Sequence, residues 1–323
     1  MTSPSPKTVS IFAQGLLDIN VTGDDNAAVT SDPGRFKDAN SSMYDRMVNN
    51  ATTISNVWWN WGMNDPELAG QIKRVIPDFG RFDTDGFSEQ LYYLALSGLP
   101  FDFDTYAGKS VLEVGCGMGQ GLNFLSRLVN ADRLVGLDLS AAAVRRANAV
   151  LSRGDALRFV QGDAERLPYE DNEFDVVINV ESSHNYPDLG RFLSEVARVL
   201  KPGGYFSYLD VFTRRRSAQI DQLQGEIAGL EWIHERDISD EVKVAVRSRM
   251  EPYGRMRASA RNKRRTYLGR QLAEHSKTLW NGGNFAGYEP TALIKLMTKL
   301  RIAPGTDLMV MESYRHQIAR STK

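Results

Sequence analysis

Short apolar runs alternate with amphipathic stretches from residue 107 to residue 212. Residues 110–114, 133–137, 157–161, 176–180 and 205–209 have the length and apolar content of strands buried on both faces. Between them, 121–129 and the AAAVRRANAVLSR stretch after Ser140 read as crossover helices. The second is capped by Ser140 and stops at Gly154. Another helix follows Asp188, because Leu189, Phe192, Leu193, Val196, Ala197 and Leu200 fall on one face; Lys201-Pro202-Gly203-Gly204 ends it in a turn. This alternation predicts the α/β class, with a Rossmann-like, doubly wound, mostly parallel sheet over residues 106–212.

The flanks lack that rhythm. Residues 1–38, rich in Ser, Pro, Asp and Asn, are expected to be partly disordered, and 39–105 to form a helical lid from stretches at 44–61 and 86–99. After Phe212 the sequence turns long, charged and helix-prone without strand alternation, which predicts a helical, substrate-binding insertion over 213–303. Strand-like patterns return at 308–311 and 313–318, so residues 304–323 are expected to complete the sheet edge.

Composition narrows the partners. The chain has 323 residues, 42% of them hydrophobic, and a formal net charge of -1, so no global positive field draws it to nucleic acid. A small-molecule substrate is the expected partner, with neither nucleic acid nor an integral membrane; assembly into a homo-oligomer stays open. The single cysteine, Cys116, fits a reducing compartment, and no leader or membrane span is read at the N-terminus, so the expected location is cytoplasmic. No His/Asp/Glu/Cys grouping has metal-ligand spacing, and metal-independent chemistry is expected. The acid-free basic stretch from Arg255 to Arg270 reads as a solvated helix face, with an anionic ligand or RNA as its alternatives.

The chemistry gathers at VLEVGCGMGQG, residues 111–121. A strand ends in Glu113 and runs into Gly115, Gly117 and Gly119, where a missing Cβ lets a ligand approach the main chain. Alone, the motif allows NAD, S-adenosylmethionine or a plain tight turn. Asp138, closing the second strand, stands where an acid accepts hydrogen bonds from ribose hydroxyls. Gly162, Asp163 and Ala164 close the third strand, and FDVVINVESSHNYPD (174–188) and LKPGGY (200–205) follow.

In this order and spacing, the blocks resemble the motifs of class I S-adenosylmethionine-dependent methyltransferases, in the group of the ubiquinone/menaquinone and sterol enzymes and of natural-product small-molecule O-methyltransferases of phthiotriol and fungal alkaloid type. The resemblance covers about residues 109–210. It implies S-adenosylmethionine as cofactor, S-adenosylhomocysteine as product, and no metal. It assigns Glu113, Gly115, Cys116, Gly117, Gly119 and Gln120 to the methionine and ribose side, Asp138 and Leu139 to the ribose, Gly162, Asp163 and Ala164 to the adenine, and Asn179, Val180 and Glu181 to the sulfonium end. Tyr44 and Trp59, in segments similar to the N-terminal aromatic lid of such enzymes, would face the cofactor, where ring faces attract a cation.

His184 stands where this resemblance places a substrate-facing histidine, and Asp210 ends the fifth strand at the same carboxyl edge; both are expected to be catalytic, His184 as general base. Methyl transfer to a hydroxyl or N-hydroxyl of a partly apolar secondary metabolite is the expected reaction. C-methylation of a sterol or prenyl-diphosphate alkene and a non-catalytic S-adenosylmethionine-binding regulator are the alternatives.

Overall fold

The computed structural model describes residues 32–50, 60–82, 84–249, 285–287, 296 and 311–323. Among the described residues, three α-helices precede the sheet: α1 (Pro33–Asn50), α2 (Pro66–Val75) and α3 (Phe87–Ser97). The α2 start is fixed by Asp65, whose carboxylate accepts from the N–H groups of Glu67 and Leu68 while Pro66 occupies the first turn. In the core, β1 (Ser110–Val114), α4 (Gln120–Leu125), β2 (Arg133–Asp138), α5 (Ala141–Leu151), β3 (Leu157–Gln161), β4 (Phe174–Val180), α6 (Leu189–Val199) and β5 (Leu200–Thr213) follow in order. Then come α7 (Arg214–Glu226), β6 (Leu230–Asp237), a helix over residues 239–249, and β7 (Met311–Ser321).

Among the described residues, seven strands form one sheet in the order β3-β2-β1-β4-β5-β7-β6. β3, β2, β1, β4 and β5 pair in parallel, whereas β7 runs antiparallel to both β5 and β6. β1 and β4 are central and almost wholly buried, as an apolar run covered on both faces requires. The buried stripe of α6, with Leu189, Phe192, Leu193, Val196 and Ala197 inward, seals one face. Burying each such large side chain contributes about 1.5–3 kcal/mol. On the other face Leu91, Leu94, Ala95 and Leu96 of α3 pack against Val111, Val176 and Ile178.

The α/β prediction holds, with four differences at the flanks. Residues 33–38, expected within a disordered tail, form the first turns of α1, which docks through Asp45 onto Ser140 Oγ and Ala142 N at the N-terminus of α5. Of the predicted 44–61 helix, residues up to Asn50 are helical and residues 60 and 61 are not; 51–59 lie outside the described residues. Residues 230–237, expected inside a helical insertion, are β6 at the sheet's edge, hydrogen-bonded along β7. That leaves β7 one strand in from the edge, between β5 and β6, instead of closing the sheet. Residues 308–310 and the basic stretch 255–270 lie outside the described residues. The expected Lys201–Gly204 turn sits within β5, where the β4 register steps from Phe174↔Leu200 to Val176↔Tyr205 and the intervening residues bulge. Among the described residues, no helix is long and apolar enough to cross a membrane.

Candidate functional site

A cavity enclosing about 1120 Å³ of empty space, mouth included, opens at the carboxyl ends of β1, β2, β3 and β4, under α1. A crevice at that edge is where doubly wound sheets bind ligands. Its floor is the β1–α4 loop. Gly115 has φ +79°, and a Cβ there would collide with Ser182 Oγ. Gly117 N–H donates to Asp138 Oδ2 at 2.8 Å, and Ser140 N–H donates to Asp138 Oδ1 at 2.8 Å. These two bonds fix the Asp138 carboxylate in the wall with further lone pairs to offer. Burial raises its pKa, against the pull of those N–H donors.

The far end of the cavity belongs to Asp163, whose Oδ2 accepts from Lys37 Nζ at 2.7 Å while Oδ1 accepts from Glu165 N. Lys37 also reaches Glu165 Oε2 at 2.5 Å, so one ammonium of α1 ties two acids of the β3–β4 connection. Burial pulls the Lys37 pKa down, but its bonds to Asp163 and Glu165 prevail and hold it above the usual value.

At the opposite end stand Glu181, His184, Tyr44 and Asn185. His184 Nδ1 lies 2.7 Å from Asp210 Oδ1, and its backbone N–H donates to Asp210 Oδ2 at 3.1 Å. Asp210 is fully buried and also accepts from Ser183 Oγ at 2.6 Å and Val211 N at 2.8 Å. With four donors around it, its carboxylate fixes Nδ1 as the protonated nitrogen and turns the Nε2 lone pair outward. Asn185 Nδ2, 3.0 Å from Nε2 and 3.3 Å from Tyr44 Oη, donates across that face. Burial works to lower the His184 pKa, yet the Asp210 charge outweighs it and the net shift is upward. Glu181 is partly buried, its Oε2 accepting from Trp61 N at 2.8 Å and Tyr314 Oη at 3.0 Å; desolvation pushes its pKa up to about 8.

Of the residues expected at the site, Tyr44, Gly115, Cys116, Gly117, Gln120, Asp138, Leu139, Gly162, Asp163, Ala164, Val180, Glu181 and His184 line this one cavity. Glu113, Gly119, Asn179 and Asp210 do not reach its surface. Glu113 is buried behind it, with Oε1 accepting from Tyr92 Oη at 2.7 Å and Oε2 without a partner among the described residues; burial pushes its pKa up to about 7. Asn179 Nδ2 donates to Val114 O and Ser182 Oγ, which braces the loop. Gly119 is filled on its open side by the Phe159 ring. Trp59 lies outside the described residues.

Sequence reasoning missed Lys37, Asn185 and Tyr92. Nothing in the pattern marks Lys37, since its role arises from α1 crossing to β3. Asn185 carried one signal, adjacency to His184. Among the described residues, no group of three or more His, Cys, Asp or Glu side chains is arranged to hold a metal ion.

Comparison with known proteins gives a consistent picture. Residues 112–208 match the family described as "Methyltransferase domain". A phthiotriol/phenolphthiotriol dimycocerosates methyltransferase 1 of Mycobacterium ulcerans is 46% identical over 142 residues, 42% of this chain and 49% of that protein. A fatty-acid O-methyltransferase of Mycolicibacterium smegmatis is 38% identical over 190 residues, 58% of this chain and 64% of that protein. The chain thus spans about half to two thirds of the curated relatives it matches. Among solved structures, a geranyl diphosphate C-methyltransferase from Streptomyces coelicolor, in complex with Mg2+, geranyl diphosphate and S-adenosyl-L-homocysteine, shares the fold with a TM-score of 0.52 at 18% identity, covering 87% of this chain and 98% of that one.

Proposed function

We propose that this chain transfers the methyl group of S-adenosylmethionine to an oxygen of a small, partly apolar acceptor, with His184 as general base; the match of residues 112–208 to the methyltransferase domain family supports the transfer. The single observation that carries the reading is the 2.7 Å contact of His184 Nδ1 with buried Asp210, made at the wall of a cavity whose other end offers a nucleoside cradle.

The residues present fit the cofactor. Gly115 and Gly117 keep the floor free of side chains, and Asp138 offers carboxylate lone pairs suited to ribose hydroxyls. Leu139 and Ala164 provide apolar walls for an adenine, with Asp163 beside them. Bound there, S-adenosylmethionine would supply an already activated methyl group, so the protein's task is to hold an acceptor in line and exclude water.

The chain's own residues can do that. An acceptor hydroxyl that displaces Asn185 Nδ2 from His184 would meet the Nε2 lone pair directly. Its proton passes to Nε2 as the oxygen becomes nucleophilic. The Asp210 carboxylate then faces an imidazolium, the charge state it stabilises most. Asp210 itself, buried under four donors, is a positioning residue and not the base. The apolar acceptor is supported by the two relatives, whose names specify a dimycocerosate and a fatty acid as their substrates.

The test is transfer of label from methyl-labelled S-adenosylmethionine to long-chain alcohols, by wild type and His184→Ala. The reading predicts labelled ether from wild type and a drop of about 10²-fold or more in the variant, with cofactor affinity retained. Cofactor binding without transfer to any acceptor would leave a binding protein and defeat the proposal.

A further inference from the structure

Glu181 is built into the site at a conformational cost. Its φ of 53° is in the left-handed region, which a glutamate rarely adopts. The conformation is locked by its N–H donating to Leu209 O at 2.7 Å. Strain retained in this way marks positions where the side chain must point somewhere specific.

The direction is set by elements outside the segment that matches the methyltransferase domain. Trp61 N–H, from the segment between α1 and α2, and Tyr314 Oη, from β7, both donate to Oε2. The Trp61 ring packs against Phe285, 5.3 Å between centroids, and against Tyr314 at 6.5 Å. Behind it, Arg249 donates to the carbonyl oxygens of Asn60 and Trp61 and, through Nε and Nη2, to both oxygens of Asp85. The 239–249 helix thereby clamps the backbone that holds Glu181.

These bonds both fall on Oε2, and Glu181 and His184 both line the cavity. The two groups act on each other electrostatically, so they share one end of the cavity. A carboxyl group favoured in its protonated state by burial accepts at one oxygen and donates from the other. It is thus equipped to hold an uncharged oxygen. No such group is needed to deprotonate a lone hydroxyl, for which His184 suffices.

We propose that Glu181 is the specificity-determining residue of the acceptor subsite, binding a second oxygen next to the hydroxyl delivered to His184, so that the preferred acceptor class is a vicinal diol or hydroxyketone on an apolar chain. The proposal rests on the methyltransferase reading for the identity of the reacting hydroxyl, and on the Glu181 geometry alone for the second oxygen.

The experiment compares a long-chain vicinal diol with the straight-chain alcohol of equal length, using the full chain as wild type, Glu181→Gln and Glu181→Leu. Both binding, by calorimetry with S-adenosylhomocysteine present, and label transfer are read. Wild type is expected to prefer the diol by about 10-fold, the worth of one buried hydrogen bond. Glu181→Gln, which keeps a donor and an acceptor, should retain most of that preference; Glu181→Leu should bring the two ligands to within about 2-fold. Equal wild-type affinity for both probes, or a preference that survives in Glu181→Leu, overturns the proposal. The ratio of the two affinities is unaffected by a general loss of folded protein, so a merely structural role would not move it. A diol preference in binding without any label transfer supports Glu181 as the selector while overturning the transferase reading.

Discussion

Replacing Asp210 by Asn leaves volume and burial nearly untouched and changes only which atoms donate. In the native arrangement four donors, from Ser183 Oγ, the backbone N–H groups of His184 and Val211, and His184 Nδ1, converge on two carboxylate oxygens. An asparagine has one oxygen and one NH₂, so two of those donors must face another donor. If the NH₂ turns to His184, the imidazole is satisfied only as the opposite tautomer, with its proton on Nε2 and no lone pair for the acceptor. If it turns to Ser183 and the His184 backbone, a buried clash costs about 1–3 kcal/mol instead. A misplaced general base forfeits about 10²–10⁴ in rate. Asp210→Asn is therefore expected to lower kcat at least about 10²-fold, while the affinity for S-adenosylhomocysteine, held at the other end of the cavity, stays within about 2-fold. The pH profile adds a second readout. The Asp210 charge raises the His184 pKa, so the acid limb of kcat/KM should lie above the ordinary histidine value near 6.5 in wild type and move to lower pH in any residual activity of the variant. Single-turnover transfer of labelled methyl, with calorimetry of the product cofactor, measures both. A variant with kcat within about 3-fold of wild type would remove the His184–Asp210 pair from the mechanism.

Further outcomes follow from the same contacts. Burial raises the Glu113 pKa to about 7, from about 4.5 unfolded, so its contribution is fully present below the unfolded value and is lost as pH rises through the folded one. Glu113→Gln should flatten the stability change between about pH 4.5 and 7 by up to roughly 3 kcal/mol in urea titrations; an unaltered slope would mean that the acid is not buried as described. Lys37→Ala removes the ammonium that orients Asp163 and Glu165, and should weaken S-adenosylhomocysteine by about 3- to 10-fold with little change in kcat at saturation; unchanged affinity would detach α1 from the cofactor end. A Cβ on Gly121 would run into the Tyr92 ring that holds Glu113, so Gly121→Ala should destabilise the fold by about 1–3 kcal/mol in thermal melts, and full stability would contradict the packing.

The central sheet was legible because its strands carry short, mostly apolar runs. A run such as Val176-Val177-Ile178 can only be buried on both faces, and the intervening α6 stripe is plain in its spacing. β6 was not legible: in LEWIHERD the apolar Ile233 is exposed and the last four residues are polar, as an edge strand permits, so the apolar residues do not alternate along the sequence. α2 did carry a readable signal, Asp65 followed by Pro66 and Glu67, which the helical reading of the lid passed over.

In the site, Gly115 and Asp138 were readable from the strand ends and Asp163 and His184 from the family resemblance, and all four meet in one cavity. What the sequence could not order was depth. Glu113 and Asp210 look equivalent to Asp138 as strand-end acids, and only packing shows that Tyr92 and Ser183 stand between them and the cavity or over them. Lys37 and Trp61 enter from segments 126 and 120 residues away from their partners in the chain, whose contribution depends on long-range docking and not on any local pattern.

The claim on which the account stands is that the cradle of Gly115, Gly117, Asp138 and Asp163 holds an adenosyl cofactor. Thermal denaturation of the full chain with S-adenosylhomocysteine, alongside Asp138→Ala, tests it most directly. Ligand at about 100 times its Kd should stabilise wild type by about 2.7 kcal/mol, a rise of several degrees in Tm, and Asp138→Ala should lose most of that rise. A wild-type Tm indifferent to the ligand, or an Asp138→Ala variant that responds as fully as wild type, would contradict it.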